Sequence, residues 1–243
     1  MRLKDTFDAW AKRATDQYAR EQWLLSKWEP YEGIKWSGEK IDILVKSIMS
    51  GLNLKPSDTL IELGCGGGWL IKHFQDRCRR TFALDFSIEM LEIAHRVLKE
   101  TRLVCAEVGQ IPFSPETFDC ILCYFVFINI DEDSYIEQAI LEILRVLKNG
   151  GRALIGQLPD QAGSYRYEEA KKDYFQYCQK NFDLGKETRE EYKPPLRLFD
   201  RETFVDLLKG QPVRMQFRDS FNPFYYPGQP ERVDWRFDLV IQK

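Results

Sequence analysis

No apolar run in this chain is long enough to cross a bilayer. The longest, Cys120 to Ile128, falls far short of the ~20 residues a spanning helix needs, so no membrane insertion is expected. The opening residues, MRLKDTFDAWAKRATDQYAREQW, carry charge throughout and lack the apolar stretch of a secretory signal, so the expected compartment is the cytoplasm. Neither sign of charge dominates: 35 Lys and Arg against 38 Asp and Glu leave a formal charge of -3. General nucleic-acid binders are more often basic, so no nucleic-acid partner is expected; Arg77, Arg79 and Arg80 read as a solvated helix end. The six cysteines make no compact framework. Cys120 and Cys123 have CxxC spacing inside an apolar run that reads as a strand, where residues three apart face opposite sides. A metal pair or a disulfide is therefore not expected, and all six read as reduced thiols. The only two histidines, His73 and His95, fall on expected helices backing the sheet and read as structural. There is no internal repeat, no low-complexity linker and no Gly-Lys-Ser/Thr of a phosphate-binding loop.

What is present is an ordinary globular composition, 44% hydrophobic and 30% charged over 243 residues, enough for one large domain or one domain with an elaborated cap. Residues 4–28 have helical spacing, and Pro30, Gly33 and Gly38 break that pattern. Residues 37–51 read as a second helix. Short apolar strands then alternate with amphipathic helices: DTLIEL, a helix over 69–76, RTFALD, a helix over 87–99 capped by Ser87, TRLVCAE, FDCILCYFVF, a helix over 133–147, and a strand led in by NGGRALIGQL. This pattern predicts a parallel sheet with helices on both faces. Beyond Pro159 the pattern changes. Residues 161–193 are rich in tyrosine and charge, DRETFVDLLKG reads as a capped helix, and VRMQFRD and DWRFDLVIQK read as closing strands.

The strand at Thr59–Leu63 ends in an acid, Glu62, and is followed by Gly64, Gly66 and Gly68. A strand that turns at once toward a helix places this loop at the carboxyl edge of the sheet, where open α/β sheets bind ligands. Glycine there permits positive φ and close backbone approach. The spacing is not that of a dinucleotide fingerprint: counted from Gly64, the third glycine position holds Trp69; counted from Gly66, it holds Ile71. The next strand ends in Asp85, placed to accept from both hydroxyls of a ribose. Phe86 and Met90 follow where an adenine ring could pack. The third strand ends at Glu107-Val108, a carboxylate able to accept from an adenine amino group beside a backbone N–H.

Four stretches in order, LIELGCGGG, ALDFSIEMLEIA, AEVGQIPFSPETFDCILC and EILRVLKNGGRALI, resemble the motifs of class I S-adenosylmethionine-dependent methyltransferases over residues 56–157. The resemblance implies an α/β fold with a Rossmann-like, doubly wound, seven-stranded sheet whose last strand is antiparallel. Expected divisions are an N-terminal helical cap (1–55), a cofactor-binding core (56–158), a cap and acceptor insert (159–199), and a closing helix with strands (200–243). It also implies S-adenosyl-L-methionine as cofactor. Glu62, Gly64, Cys65, Gly66 and Gly68 would hold its methionine end, Asp85 the ribose, and Phe86, Met90, Glu107 and Val108 the adenine. Cys123 and Tyr124 would line the sulfonium region. In this chain the adenine-site acid is Glu107 where the family usually has Asp. Ile128-Asn129 stands where many relatives carry a pair of histidines, so a mechanism built on those histidines does not transfer.

Methyl transfer from a sulfonium is an in-line displacement needing chiefly alignment, and a base only if the acceptor must lose a proton. Candidates for that base are Tyr124, Asn129 through a water, and Asp131. An acceptor pocket is expected from Tyr18, Tyr31 and Trp36 near the N-terminus and from Tyr165 and Tyr167 in the insert. The expected acceptor is a small molecule. A protein or RNA acceptor, or a binding protein without catalysis, are the alternatives.

Overall fold

The computed structural model describes residues 38–181, 197–223 and 228–243. The expected N-terminal helix and Tyr18, Tyr31 and Trp36 lie outside them. The elements are α1 (Gly38–Leu52), β1 (Thr59–Leu63), a 3-10 helix (Ile71–Arg77), β2 (Arg80–Asp85), α2 (Ile88–Val97), β3 (Arg102–Cys105) and β4 (Phe118–Tyr124). After a short 3-10 turn (Phe127–Asn129) come α3 (Asp133–Val146), β5 (Leu147–Pro159), a second short turn (Gln161–Gly163), α4 (Ser164–Asn181), α5 (Arg201–Leu208), β6 (Arg214–Phe221) and β7 (Arg232–Gln242).

The seven strands form one sheet in the order β3-β2-β1-β4-β5-β7-β6. β1 to β5 run parallel; β7 is antiparallel to both of its neighbours, β5 and β6. The expected seven strands and antiparallel last strand are thus present, with β7 lying inside the sheet and β6 at its edge. TLIEL is buried at every position, because helices cover both faces of a parallel sheet and leave no polar side. Side-chain alternation divides the core in two. Ile61 and Leu63 point to a cluster under α3 and α5; Leu60, Leu122 and Leu154 point to one under α1, the 3-10 helix and α2. Cys120 and Cys123 fall into different clusters, as a three-residue separation on a strand requires. Among the described residues no helix is long and apolar enough to cross a membrane.

Two elements differ from the reading of the sequence. The helix expected over 69–76 is present as a 3-10 helix with shifted bounds, Ile71–Arg77. Its buried residues, Ile71 and Phe74, are three apart, which is one 3-10 turn, and over so few residues the two periods look alike in sequence. The tyrosine-rich insert contains an 18-residue helix, α4, which the charge-rich sequence did not announce. The caps were legible: Ser87 accepts from Met90 N at 3.2 Å, and Asp200 from Glu202 N at 3.1 Å.

Candidate cofactor and acceptor site

The carboxyl ends of β1, β2 and β4 meet at one loop. Gly64 N and Cys65 N both donate to Leu84 O, at 2.7 and 3.0 Å, tying the loop to β2. Asp85 closes the arrangement: Oδ2 accepts from Gly66 N at 2.7 Å and Oδ1 from Ser87 N at 2.9 Å. This carboxylate therefore holds the glycine loop and the start of α2 together.

The three glycines have positive φ and different surroundings. A Cβ at Gly64 would lie 2.4 Å from Val126 Cγ2, and one at Gly68 would lie 2.7 Å from Leu98 Cδ1. Those two positions let the loop after β4 and helix α2 approach the backbone. A Cβ at Gly66 would meet nothing within 4 Å. Of the three glycines, Gly66 is the one with no described atom near the point where a Cβ would stand.

Glu62 is 2% exposed, and its Oε2 is buried without a partner. Burial holds its carboxyl well above the ordinary carboxylate range; the nearby Ile71 backbone opposes this and the charge of Asp85 adds to it. An unpaired buried carboxyl oxygen is costly unless a donor arrives. Cys65 is buried beside both acids, and burial, then Asp85 and Glu62, push its thiol up, so it is a packing residue rather than a nucleophile.

On the adenine side, Met90 and Val108 are buried, Phe86 is half-buried and Glu107 is exposed. Glu107 Oε2 accepts from Tyr135 OH at 3.0 Å, and the same hydroxyl accepts from Gly109 N at 3.3 Å. Tyr135, on α3, was not foreseen: it lies 28 residues from Glu107 and no local pattern connects them.

At the end of β4, Cys123 and Tyr124 are buried. Phe125 follows with φ 61, a left-handed conformation that is strained for an aromatic residue. It is held by its N–H to Gly156 O at 3.3 Å and by Asn129 Nδ2 to its carbonyl at 2.9 Å. The Asn129 amide is thus engaged with its own loop. Asp131 is exposed, with its carbonyl accepting from Arg197. Tyr124 hydroxyl lies 3.5 Å from Gln157 Nε2 in a buried network with Ser220 and Asp238. Its oxygen accepts from that amide, and burial, then the charge of Asp238, push its phenol far up. On α4, Tyr165 is exposed and Tyr167 packs edge-on against Trp235 with ring centroids 5.5 Å apart.

Comparisons with known proteins point the same way as this edge. Residues 61–155 match the family model described as "Methyltransferase domain". An uncharacterized protein of Methanocaldococcus jannaschii is 31% identical over 179 residues, covering 73% of this chain and 78% of that protein. A demethylmenaquinone methyltransferase of Renibacterium salmoninarum is 24% identical, covering 45% of each. A methyltransferase candidate of Haloferax volcanii, solved with the Trm112 methyltransferase activator, superposes with a TM-score of 0.61 at 16% identity, covering 97% of this chain and 96% of the other. The chain spans about half the length of the first curated relatives it matches, 59%, 45% and 42%. This chain belongs to the class I S-adenosylmethionine-dependent methyltransferases, a family whose cofactor is S-adenosylmethionine.

The residues present fit that cofactor. The buried, unpartnered Glu62 Oε2 suits an ammonium, the space over Gly66 suits a close-lying tail, and the Asp85 carboxylate at the end of β2 is the kind of acceptor a ribose diol takes.

Proposed function

We propose that the chain transfers a methyl group from S-adenosylmethionine to a small-molecule acceptor, at the carboxyl edge of β1, β2, β4 and β5. The observation that carries this reading is Glu62: a buried carboxyl with one oxygen lacking a donor, set at the strand end beside the open Gly66 position. In this reading Glu62 and the loop hold the methionine end, Asp85 the ribose, and Glu107, steadied by Tyr135, the adenine amino group. Phe86, Met90 and Val108 pack the ring, and Cys123 and Tyr124 border the reacting carbon. The cofactor supplies an activated methyl on a sulfonium. The protein supplies alignment and a water-poor wall, which favour an in-line displacement without a covalent intermediate on the enzyme. Asn129 steadies the strained turn at Phe125; Asp131, exposed, is the position from which a proton could be taken to solvent. Residues 159–199 act as the acceptor cap, with Tyr165 and Tyr167 on it. The near-balanced charge supports a small acceptor over nucleic acid, as does the relative named for demethylmenaquinone.

The Haloferax complex favours a second reading, in which a partner protein activates this chain. One titration separates the two. S-adenosylhomocysteine is titrated calorimetrically into the chain alone, with NAD as control and Glu62→Gln and Asp85→Asn as variants. Micromolar-range binding, weakened in both variants and not matched by NAD, supports a site complete in this chain. Failure to bind alone moves the reading to the partner-dependent form, and equal binding of NAD overturns both.

A further inference from the structure

A buried arginine stands on the acceptor side of this edge. Arg236 lies on β7 opposite Pro159, at the carboxyl end of β5, and is 5% exposed. The strands are irregular here: β5 shifts register between Ile155 and Leu158, and β7 shifts against β6 beside Asp219 and Ser220. Such bulges re-aim side chains. Gln157, in the first of them, has φ 66, and its carbonyl accepts from Arg236 Nη1 at 2.9 Å.

The nearby carboxylates are already matched. Asp160 pairs with Arg201 at 2.8 Å, Asp234 with Arg166 at 2.5 Å, and Asp238 with Arg218 at 2.9 Å. Among the described residues none of them is left for Arg236. Its guanidinium lies 5.3 Å from the centre of the Tyr167 ring and 5.8 Å from that of Trp235. Its Nε is buried without a partner. A guanidinium remains charged inside a protein, and a buried cation facing only carbonyls and rings is costly unless an anion meets it. With Nη1 committed to Gln157, the edge formed by Nε and Nη2 is the one that presents two parallel donors, the geometry that carboxylates and phosphates accept. Gln157 links this arginine to the end of β4: its carbonyl accepts from Arg236 and its Nε2 lies 3.5 Å from the Tyr124 hydroxyl, so an anion here would be attached to a molecule reaching that strand end.

Resting on the methyl-transfer reading, we propose that Arg236 is the receptor for an anionic group, carboxylate or phosphate, of the methyl acceptor. The acceptor class is thereby a small organic anion.

Protein saturated with S-adenosylhomocysteine is titrated with benzoate, phenyl phosphate and the neutral benzamide. At least one anion is expected to bind ten-fold or more tighter than benzamide, and the tighter of the two identifies the group. Arg236→Met should remove that preference, Arg236→Lys should reduce it, and both should keep their affinity for S-adenosylhomocysteine. Should Arg236→Met fail to fold, Arg236→Lys and Arg236→Gln carry the test. Equal binding of benzamide, no binding of any probe, or a preference that survives loss of the guanidinium overturns the proposal. Since S-adenosylhomocysteine binding is measured on the same samples, its loss from the wild-type chain would count against the methyl-transfer reading instead.

Discussion

Replacing Gly64 and Gly66 with alanine, one at a time, should injure two different properties. Both residues have positive φ, 71° and 51°, where an L side chain costs about 1–2 kcal/mol. Gly64→Ala also drives a methyl to 2.4 Å from Val126 Cγ2, and overpacking a fitted interior costs about 1–3 kcal/mol more. Together these come to roughly 2–5 kcal/mol, against about 1–2 for Gly66→Ala, whose methyl would meet nothing within 4 Å. In a chain of this size each kcal/mol moves the melting temperature by about 2–4 °C, so Gly64→Ala should melt roughly 4–20 °C low and Gly66→Ala roughly 2–8 °C low. Binding should show the reverse order of damage. Gly66→Ala places its methyl in the space assigned to the cofactor's tail and should lose ten-fold or more in affinity for S-adenosylhomocysteine. Adding Val126→Ala should return part of the stability lost in Gly64→Ala and do nothing for Gly66→Ala. Scanning calorimetry with and without the ligand reads all of this. If Gly66→Ala binds like wild type, or if the two variants melt together, the division between packing glycines and a ligand glycine is wrong.

Three further outcomes are expected. Because burial raises the Glu62 carboxyl, the folded chain binds more protons there than the unfolded chain, so stability falls as pH rises through the window above the ordinary carboxylate value, by up to about 1.4 kcal/mol per pH unit. Glu62→Gln should flatten that fall in urea titrations of the ligand-free protein, and parallel curves would refute it. Tyr135→Phe, which frees Glu107 and Gly109 N, should raise KM for S-adenosylmethionine several-fold with little change in kcat, and cost about 1 kcal/mol of stability. The exposed Cys105 should react with a thiol reagent in the native state, whereas Cys65, Cys120 and Cys123, buried and with their thiols pushed up, should react only on unfolding.

Local chemistry is what made parts of this molecule legible. TLIEL and FDCILCY declare themselves because strands covered on both faces are apolar throughout, and Ser87 and Asp200 because a cap acts within three residues. Glu62 and Asp85 could be located since each is a polar residue closing an apolar strand at the binding edge. Residues whose role depends on distant pairing left no such trace. Asp85 binding Gly66 N, Tyr135 binding Glu107, and Gln157 receiving Arg236 all join segments brought together only by the sheet order. Gln157 is the sharpest case: read along the chain it continues β5, yet its backbone turns left-handed because the bulge opposite β7 requires it.

The place of β7 also bears on how the chain assembles. β6 pairs in the sheet only with β7, while Gln157 of β5 reaches it by side-chain hydrogen bonds to Ser220 and Phe221. During synthesis β6 therefore emerges before the strand that will hold it, and waits with an unpaired edge, while β5 exposes another. Until Arg232–Gln242 threads between them, two open strand borders coexist, the condition under which chains join each other instead of themselves. The carboxyl-edge cluster that includes Arg236 is complete only once β7 has paired with both β5 and β6.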